Sequence, residues 1–551
     1  MLVVGGGPVG LALAIELGRL GVATTLVEAR DGTINTPKMN FVNVRSMEFC
    51  RRWGITEEVR AAGHPEAFHP NVLWTTSVTG HEIARLDFPP FLEEKTRYFS
   101  PAADCLVSQL WFDPILLAHA RRQPSLRLHH RTRLESFRET ADGIEAELTD
   151  LVSGRRQTIT AAYLVGCDGA ASPVREALGI ALDGLPNIQN NFHVFFNSDE
   201  LLSIFDRTLG QARFCSLVGP EGTWGLITSI NWRGLWRFSM QPPPQDEAIV
   251  PDLLRRAVGT DFSFELLNGS HWESRELVAN SYGKGRIFIA GDAAHQNTPS
   301  GGFGMNTGLG DAVDLAWKLW AVLAGWGGPA LLASYEAERR PVAKRNTQEA
   351  TSNLLRFRNL KPGPAIAETS ERGTRERAVF QQMLLDADIL RHHDTDGIAL
   401  GYRYDFSPIV CPDGSEPPPD SVREYRPTAR PGHRAPHAWL DGGPPPSAGA
   451  RLRHGRSTLD LFGDGFALLA FGGAASLADP LIRAARARGT PLAVAAIEDR
   501  EISRLYERRL ALVRPDGHVA WRGDTCPAQA DQTIARICGH PFAGDQHLAL
   551  D

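Results

Sequence analysis

The turn GGGPVG at residues 5–10 limits the folds open to this chain more than any other feature. An apolar run, MLVV, leads into it, and LALAIELGRLG follows with apolar residues at Leu11, Ala14, Ile15 and Leu17. That spacing predicts a helix, with Gly21 as its stop. ATTLVEAR then reads as a second strand ending at Glu28. A strand, glycine turn, helix, strand and terminal acid in this order form a dinucleotide-binding fingerprint. Gly5 permits the tight turn, Gly7 lets backbone approach a pyrophosphate, and Gly10 lets helix and strand pack closely. The helix N-terminus offers free N–H groups to phosphate, and Glu28 stands at the right distance for a ribose. Only four residues precede Gly5, so the first strand is expected to be short, and the natural start could lie upstream.

Two later stretches repeat the idea of an apolar strand ending in an acid. AAYLVGCDGAASPVREALG (161–179) reaches Asp168, and RIFIAGDAAH (286–295) reaches Asp292. Ligands of open α/β sheets bind at such strand ends. Helix capping is the competing explanation for each acid, but two of them beside a phosphate fingerprint favour one extended ligand. After Asp292 comes PSGGFGMN (299–306), with a helix expected over 309–325. Its glycines expose backbone amides just before that helix. No strand leads into this loop, so it is not expected to be a second dinucleotide site.

The three stretches together resemble the flavin-dependent aromatic hydroxylases, the single-component FAD monooxygenases of the p-hydroxybenzoate and phenol hydroxylase type. NFVNVRSMEFCRRWGI (40–55) and SQLWFDPILL (108–117) extend the likeness. The resemblance implies one FAD lying along all of these loops. Gly5, Gly7, Pro8 and Gly10 are its candidate pyrophosphate contacts, with Glu28 and Arg30 near the adenosine ribose. Arg45, Gln109, Asp168 and Asp292 are further candidate contacts, Asp168 also towards the nicotinamide. Pro299, Gly302, Gly304, Met305 and Asn306 line the isoalloxazine, where amides near Met305 and Asn306 stabilise charge on the reduced ring. It further implies that NADH or NADPH acts as a transient reductant, and that O2 reaches an aromatic substrate through a flavin hydroperoxide. No second dinucleotide fold is present for the reductant.

The catalytic group is not fixed by a motif. Phenol hydroxylase-like relatives carry an acid five residues before the flavin-contacting arginine, and this chain has Asn40 there. Asn40, His295 and Arg213 are the candidates, with a structural role the competing reading for His295. His193, Trp224 and Phe238 are candidate substrate contacts, against ordinary sheet packing. A Baeyer–Villiger oxygenation on the same fold stays open, as does a flavoprotein that sequesters an aromatic ligand without turnover. The W-x-W-x-I-P motif of flavin halogenases is missing.

The fold class expected is α/β: a Rossmann-like FAD-binding domain, a β-sheet substrate domain and a C-terminal thioredoxin-like domain. The FAD domain takes residues 1–71, 101–184 and 271–350, and the substrate domain 72–100 and 185–270, including a hairpin from TWGLITSI (223–230) and LWRFSMQ (235–241). A helical segment (351–407) and a proline-rich surface linker (408–446) lead to the last domain (447–551), which lacks CxxC. EAERRPVAKR (336–345) reads as a solvated helix face. Seven scattered cysteines argue against a disulfide framework or a metal site. Net charge of −6 gives no basis for nucleic acid or an anionic membrane as partner. No apolar run is long enough for a transmembrane helix, and no secretory signal is visible. A cytoplasmic monomer or homodimer is expected.

Overall fold

The computed structural model describes residues 1–36, 38–93, 98–440 and 455–541. A six-stranded sheet runs in the order 283–284, 287–289, 164–166, 2–4, 24–27, 126–129. Every pairing in it is parallel except that of the edge strand 283–284. Leu2–Val4 sits between Thr24–Val27 and Leu164–Gly166, and the latter pairs with Ile287–Ile289. All four strands are short, buried and rich in Val, Ile and Leu, as a parallel sheet covered on both faces requires. This order places Gly5, Asp168 and Asp292 at neighbouring strand ends. The helices Pro8–Arg19 and Phe303–Leu323 cover one face and share its core through Leu11, Ile15, Leu309 and Ala312.

An eight-stranded sheet stands beside it, in the order 295–296, 265–279, 182–197, 235–240, 222–229, 214–219, 72–75, 82–86. The expected hairpin is there, with Gly225 opposite Met240 and Ser229 opposite Trp236. Two strands, Leu182–Asn197 and Glu265–Ala279, pair from Leu182↔Ala279 to Asn197↔Glu265 and bridge the two sheets. The expected boundaries at 184/185 and 270/271 therefore cut continuous strands. The boundary at 350/351 likewise falls inside the helix Pro329–Arg358. Its solvated face is also corrected: Glu338 and Arg339 are each only 1% exposed. A three-stranded antiparallel sheet, 132–161, was not expected.

The last sheet has the order 492–497, 466–471, 510–513, 519–523. Its first pairing is parallel and the other two are antiparallel. Helices Asp479–Ala487, Arg500–Tyr506 and Ala530–Ile537 complete a β-α-β-α-β-β-α order. Residues 408–440 have little regular structure but are not merely a surface strap. Ile409, Ala429, Arg434 and Ala435 are buried, and Gly432 and Ala435 donate backbone hydrogen bonds to Val519 and Gly517. The second PPP, 444–446, and the ends of the last domain lie outside the described residues. No helix among the described residues is long and apolar enough to cross a membrane.

Candidate functional site

Gly5 adopts φ +104°, and a Cβ there would stand 2.3 Å from the Cys167 carbonyl oxygen. A Cβ on Gly10 would stand 2.0 Å from the Gly5 carbonyl oxygen. Only hydrogen fits at either position, because strand, turn and helix touch through backbone. At Gly7 no protein atom lies within 4 Å of such a Cβ. Gly7 caps the helix Pro8–Arg19 without a side chain, so the amides of its first turn face that open space. Glu28 secures the turn: its carboxylate accepts the Gly6 and Arg30 backbone N–H groups, each at 2.7 Å. The Arg30 side chain is exposed beside it.

Asp168 caps the short helix Pro173–Ala177, accepting the Ser172 hydroxyl at 2.5 Å and the Val174 N–H at 3.0 Å. The capping role weighed at the outset is therefore filled. Asp292 sits in a single turn, Gly291–Ala293, with its carboxylate opening into a cleft. The side chain is exposed to the cleft, yet desolvation by the protein around it pushes its carboxyl up, while His295 and Lys38 oppose the shift.

The cleft widens into a cavity of about 410 Å³. Asn40, Asp292, Pro299, Gly302, Gly304 and Met305 line it, together with Lys38, Arg213, Arg275, His392 and His393. Gly302, in the left-handed region at φ +70°, caps the helix Phe303–Leu323 and turns its N-terminus towards the cavity. The Asn306 side chain works as a clamp. It accepts the Asn43 N–H at 3.0 Å and donates to the carbonyls of Phe41 at 3.1 Å and Gly302 at 2.7 Å. Arg213 lies 4.6 Å from the ring centroids of both Phe41 and Phe214.

A second cavity of about 560 Å³ opens beside the first, under Trp224, Met240, Pro242, Leu354 and Phe357. Arg237, Trp272, Pro299 and His392 line both. His193 belongs to this second space. Its Nε2 accepts the Trp272 indole N–H at 2.5 Å, and burial, with Arg237 nearby, pushes its pKa down to about 2. Trp224 lines the same space under the Arg256 guanidinium.

Five candidates lie elsewhere, counting Asn306, which is buried in its clamp and lines neither cavity. Arg45 is buried against the C-terminal unit, donating to Glu48 at 2.7 Å, the Asp516 carbonyl at 2.8 Å and the Tyr402 hydroxyl at 3.3 Å. The Gln109 side chain turns along its own helix to Asp113, at 2.8 Å. His295 is fully buried with Nε2 on Asp311 at 2.7 Å, and lines neither cavity. Phe238 is a core residue, edge-on to Trp224 and fully buried. Conversely, Lys38, Arg237, Trp272, His392 and His393 reach the cavities without having been singled out. Trp272 and Arg237 occupy alternating strands, where one face always resembles packing; the two histidines are adjacent in a helical segment that shows no motif.

The first cavity suits a long polar cofactor. Asn40 Nδ2, both amide atoms of Asn297, and Thr298 Oγ1 line it without a hydrogen-bond partner among the described residues. Buried polar atoms in that state call for a ligand to satisfy them. The open space at Gly7 and two helix N-termini suit phosphate and a ring that gains negative charge.

Comparison with known proteins agrees. Residues 1–350 match the FAD binding domain family, and 428–541 match the aromatic-ring hydroxylase C-terminal family. A putative polyketide hydroxylase of Streptomyces halstedii is 35% identical over 97% of this chain and 94% of its own. The structure of RebC with bound 7-carboxy-K252c is 40% identical, with a TM-score of 0.89 over 98% of this chain and 99% of its own. The flavin-dependent monooxygenase PieE, in complex with FAD and substrate, is 30% identical, with a TM-score of 0.87 over 98% and 99% of the two chains. By its glycine turn, its paired cavities and these likenesses, the chain belongs to the FAD-dependent aromatic-ring hydroxylases, flavoprotein monooxygenases acting on aromatic substrates.

Proposed function

We propose that this enzyme hydroxylates a polycyclic aromatic compound bearing an acidic group, held in the second cavity. The observation that carries the reading is the wall shared by the two cavities, which sets an aromatic-lined space against the glycine loop 299–306. A volume of about 560 Å³ lies within the usual range for small-molecule sites and admits a multi-ring compound. Trp224, Trp272 and Phe357 offer ring faces, and Arg237 offers a guanidinium at the junction. Burial pulls the Arg237 pKa down to about 10, the mark of a cation short of acidic company. The names of the polyketide hydroxylase and of the carboxylated compound bound to RebC support the same class.

Gly5, Gly7 and Gly10 with Glu28 would hold the pyrophosphate and ribose of FAD, and Asp292 with residues 299–306 its ribityl chain and ring. Bound there, FAD supplies the redox chemistry, reduction by NADH or NADPH and activation of O2. The helix N-terminus at Phe303 stabilises negative charge arising beside it, with no reorganisation needed at the time. Trp272 excludes water from the junction, and Phe357 from the second cavity beside it. Arg237 orients the substrate through its anionic group. We also infer that the C-terminal unit is thioredoxin-like, on its strand order, and serves as a structural partner. Seven free cysteines suit a reducing cytoplasm, as monomer or homodimer.

The test is aerobic NADH and NADPH oxidation by FAD-loaded protein across phenols, aromatic acids and hydroxylated polycyclic acids, with product mass. Polycyclic acids are expected to stimulate oxidation most and to gain one oxygen atom. Stimulation by simple phenols alone overturns the substrate class. Tight binding with no stimulated oxidation overturns turnover itself.

A further inference from the structure

We propose that His392 contacts the substrate directly, accepting a hydrogen bond from an O–H or N–H group on the aromatic ring system at the opening between the cavities. This assignment rests on the reading of the two spaces as ring site and substrate site.

Position singles it out. Of the four residues lining both cavities, Pro299 has no polar side-chain atom and Arg237 only donates. Trp272 also only donates, and its N–H is engaged by His193. An imidazole is the one side chain of the four with an acceptor to offer. Asn40, where the family likeness leads one to look for an acid, lines the first cavity alone.

The ring is also held in place. His392 ends a single 3-10 turn, Ile389–His392. Its neighbour Arg391 makes a two-pronged contact with Glu349 of the long helix, both bonds at 2.8 Å. His392 stacks on His393 at 4.7 Å between centroids with 8° between planes, and lies 6.0 Å from Phe357 at 26°. A side chain so confined aims its ring edge, and the acceptor on it, in a fixed direction.

Charge keeps the acceptor available. Burial lowers the His392 pKa to about 4, and Arg213 and Arg356 push the same way. Arg237 lines the same opening, and the stacked His393 is itself held well below the ordinary range by burial, by His392 and by Arg213. Asp394, the nearest acid in sequence, pairs with Arg423 at 3.4 Å. The imidazole is therefore neutral at physiological pH, with one ring nitrogen free to accept. The substrate keeps its proton; the hydrogen bond polarises the O–H or N–H and fixes the register of the ring.

Two rigid probes test this on the FAD-loaded enzyme: 6-hydroxy-2-naphthoate and its methyl ether, 6-methoxy-2-naphthoate. Each carries a carboxylate for Arg237, and only the first carries a donor. Dissociation constants are read from the change in flavin fluorescence. Wild type is expected to prefer the hydroxyl probe about tenfold, the value of one net hydrogen bond. His392→Phe keeps a ring to stack and loses the acceptor, so the preference falls to parity while affinity for the methyl ether holds. His392→Gln keeps a carbonyl acceptor and retains part of the preference. Between pH 8 and pH 6 the wild-type preference stays constant, because protonation begins only as pH falls towards about 4. A preference that disappears near pH 6.5, or that survives in His392→Phe, overturns the assignment. So does equal binding of both probes by wild type. A holoenzyme that binds neither probe overturns the cavity reading, and the assignment with it.

Discussion

Gly7 and Gly10 stand three residues apart and are expected to fail in different ways when a methyl group is added. At Gly10 the methyl would meet the Gly5 carbonyl oxygen at 2.0 Å, so backbone must move, whereas at Gly7 the protein leaves the space empty. Gly10→Ala should cost about 1–3 kcal/mol of stability, as overpacking does, and lose FAD as well. Gly7→Ala should cost about 1 kcal/mol or less, the difference between glycine and alanine as a helix cap. Its FAD affinity should nevertheless fall at least about tenfold, since the methyl fills ground that backbone amides need to reach phosphate. Thermal melts of the apoprotein and FAD titrations separate the two outcomes. Wild-type FAD affinity in Gly7→Ala would show that the space serves something else. Those glycines were legible in sequence because the reason for each is local. His295 was not: its partner Asp311 also takes the Arg339 guanidinium at 2.8 Å and the Gly291 N–H at 3.2 Å. A structural role for His295 was read from its place on the loop, but nothing near it in sequence names Asp311 and Arg339 as its buried company.

The helix Phe303–Leu323 begins six residues before the start that periodicity suggested. Glycines 304 and 308 hid the early turns, and Gly308 is there because Val9 presses against the helix. The hidden turns are the ones that matter to the site, since they carry Asn306, which holds residues 41–43 and with them Phe41 of the cavity wall. Removing that clamp should loosen one wall and spare the sheet. Asn306→Ala leaves the Asn43 N–H and the Phe41 carbonyl without the partner each has now, at a cost of about 1–3 kcal/mol for a buried polar group. Hydrogen exchange followed by mass spectrometry should show faster exchange at residues 41–44, unchanged protection of Leu2–Val4 and Leu164–Gly166, and weaker FAD binding. Uniform loss of protection across the sheet would instead make Asn306 a general support of the fold.

At the scale of the whole molecule, the dinucleotide-binding unit was readable from the first thirty residues, while the join between the FAD domain and the C-terminal unit was not. EAERR looks like a solvated helix face because its partners lie far along the chain. Glu338 meets Arg514, 176 positions later, at 2.6 Å, and Arg514 also reaches Asp314 at 3.0 Å and Asp516 at 2.6 Å. Lys318 adds bonds to Asp314 at 2.7 Å and Glu338 at 2.6 Å. Three carboxylates within 4.8 Å of one another have the outline of a metal site, but Lys318 and Arg514 already stand among them as cations. Breaking a buried network of this kind by removing one partner costs about 3–5 kcal/mol, because the remaining charges stay buried. Arg514→Ala should destabilise the protein by that order, and the loss should depend on pH. Burial alone would raise the Glu338 pKa, but Arg514 and Lys318 outweigh it and hold the carboxyl below its ordinary range. A depressed carboxyl contributes stability above its unfolded pKa and loses it as pH falls through the folded one. In wild type the Glu338 contribution is intact at both pH 8 and pH 5.5. Burial, with Glu338 and Asp516 beside it, holds the Asp314 carboxyl of the same cluster well above its ordinary range against the pull of Lys318 and Arg514. Without Arg514 the cluster takes up a proton as pH falls, which relieves its repulsion and restores part of the loss. Urea unfolding of both proteins should therefore show a gap that narrows by about 1 kcal/mol or more from pH 8 to pH 5.5, one pKa unit being worth about 1.4 kcal/mol. A gap that stays constant across that range would mean that Arg514 holds the domains together by packing against Trp317 and Tyr404, and not by its charge.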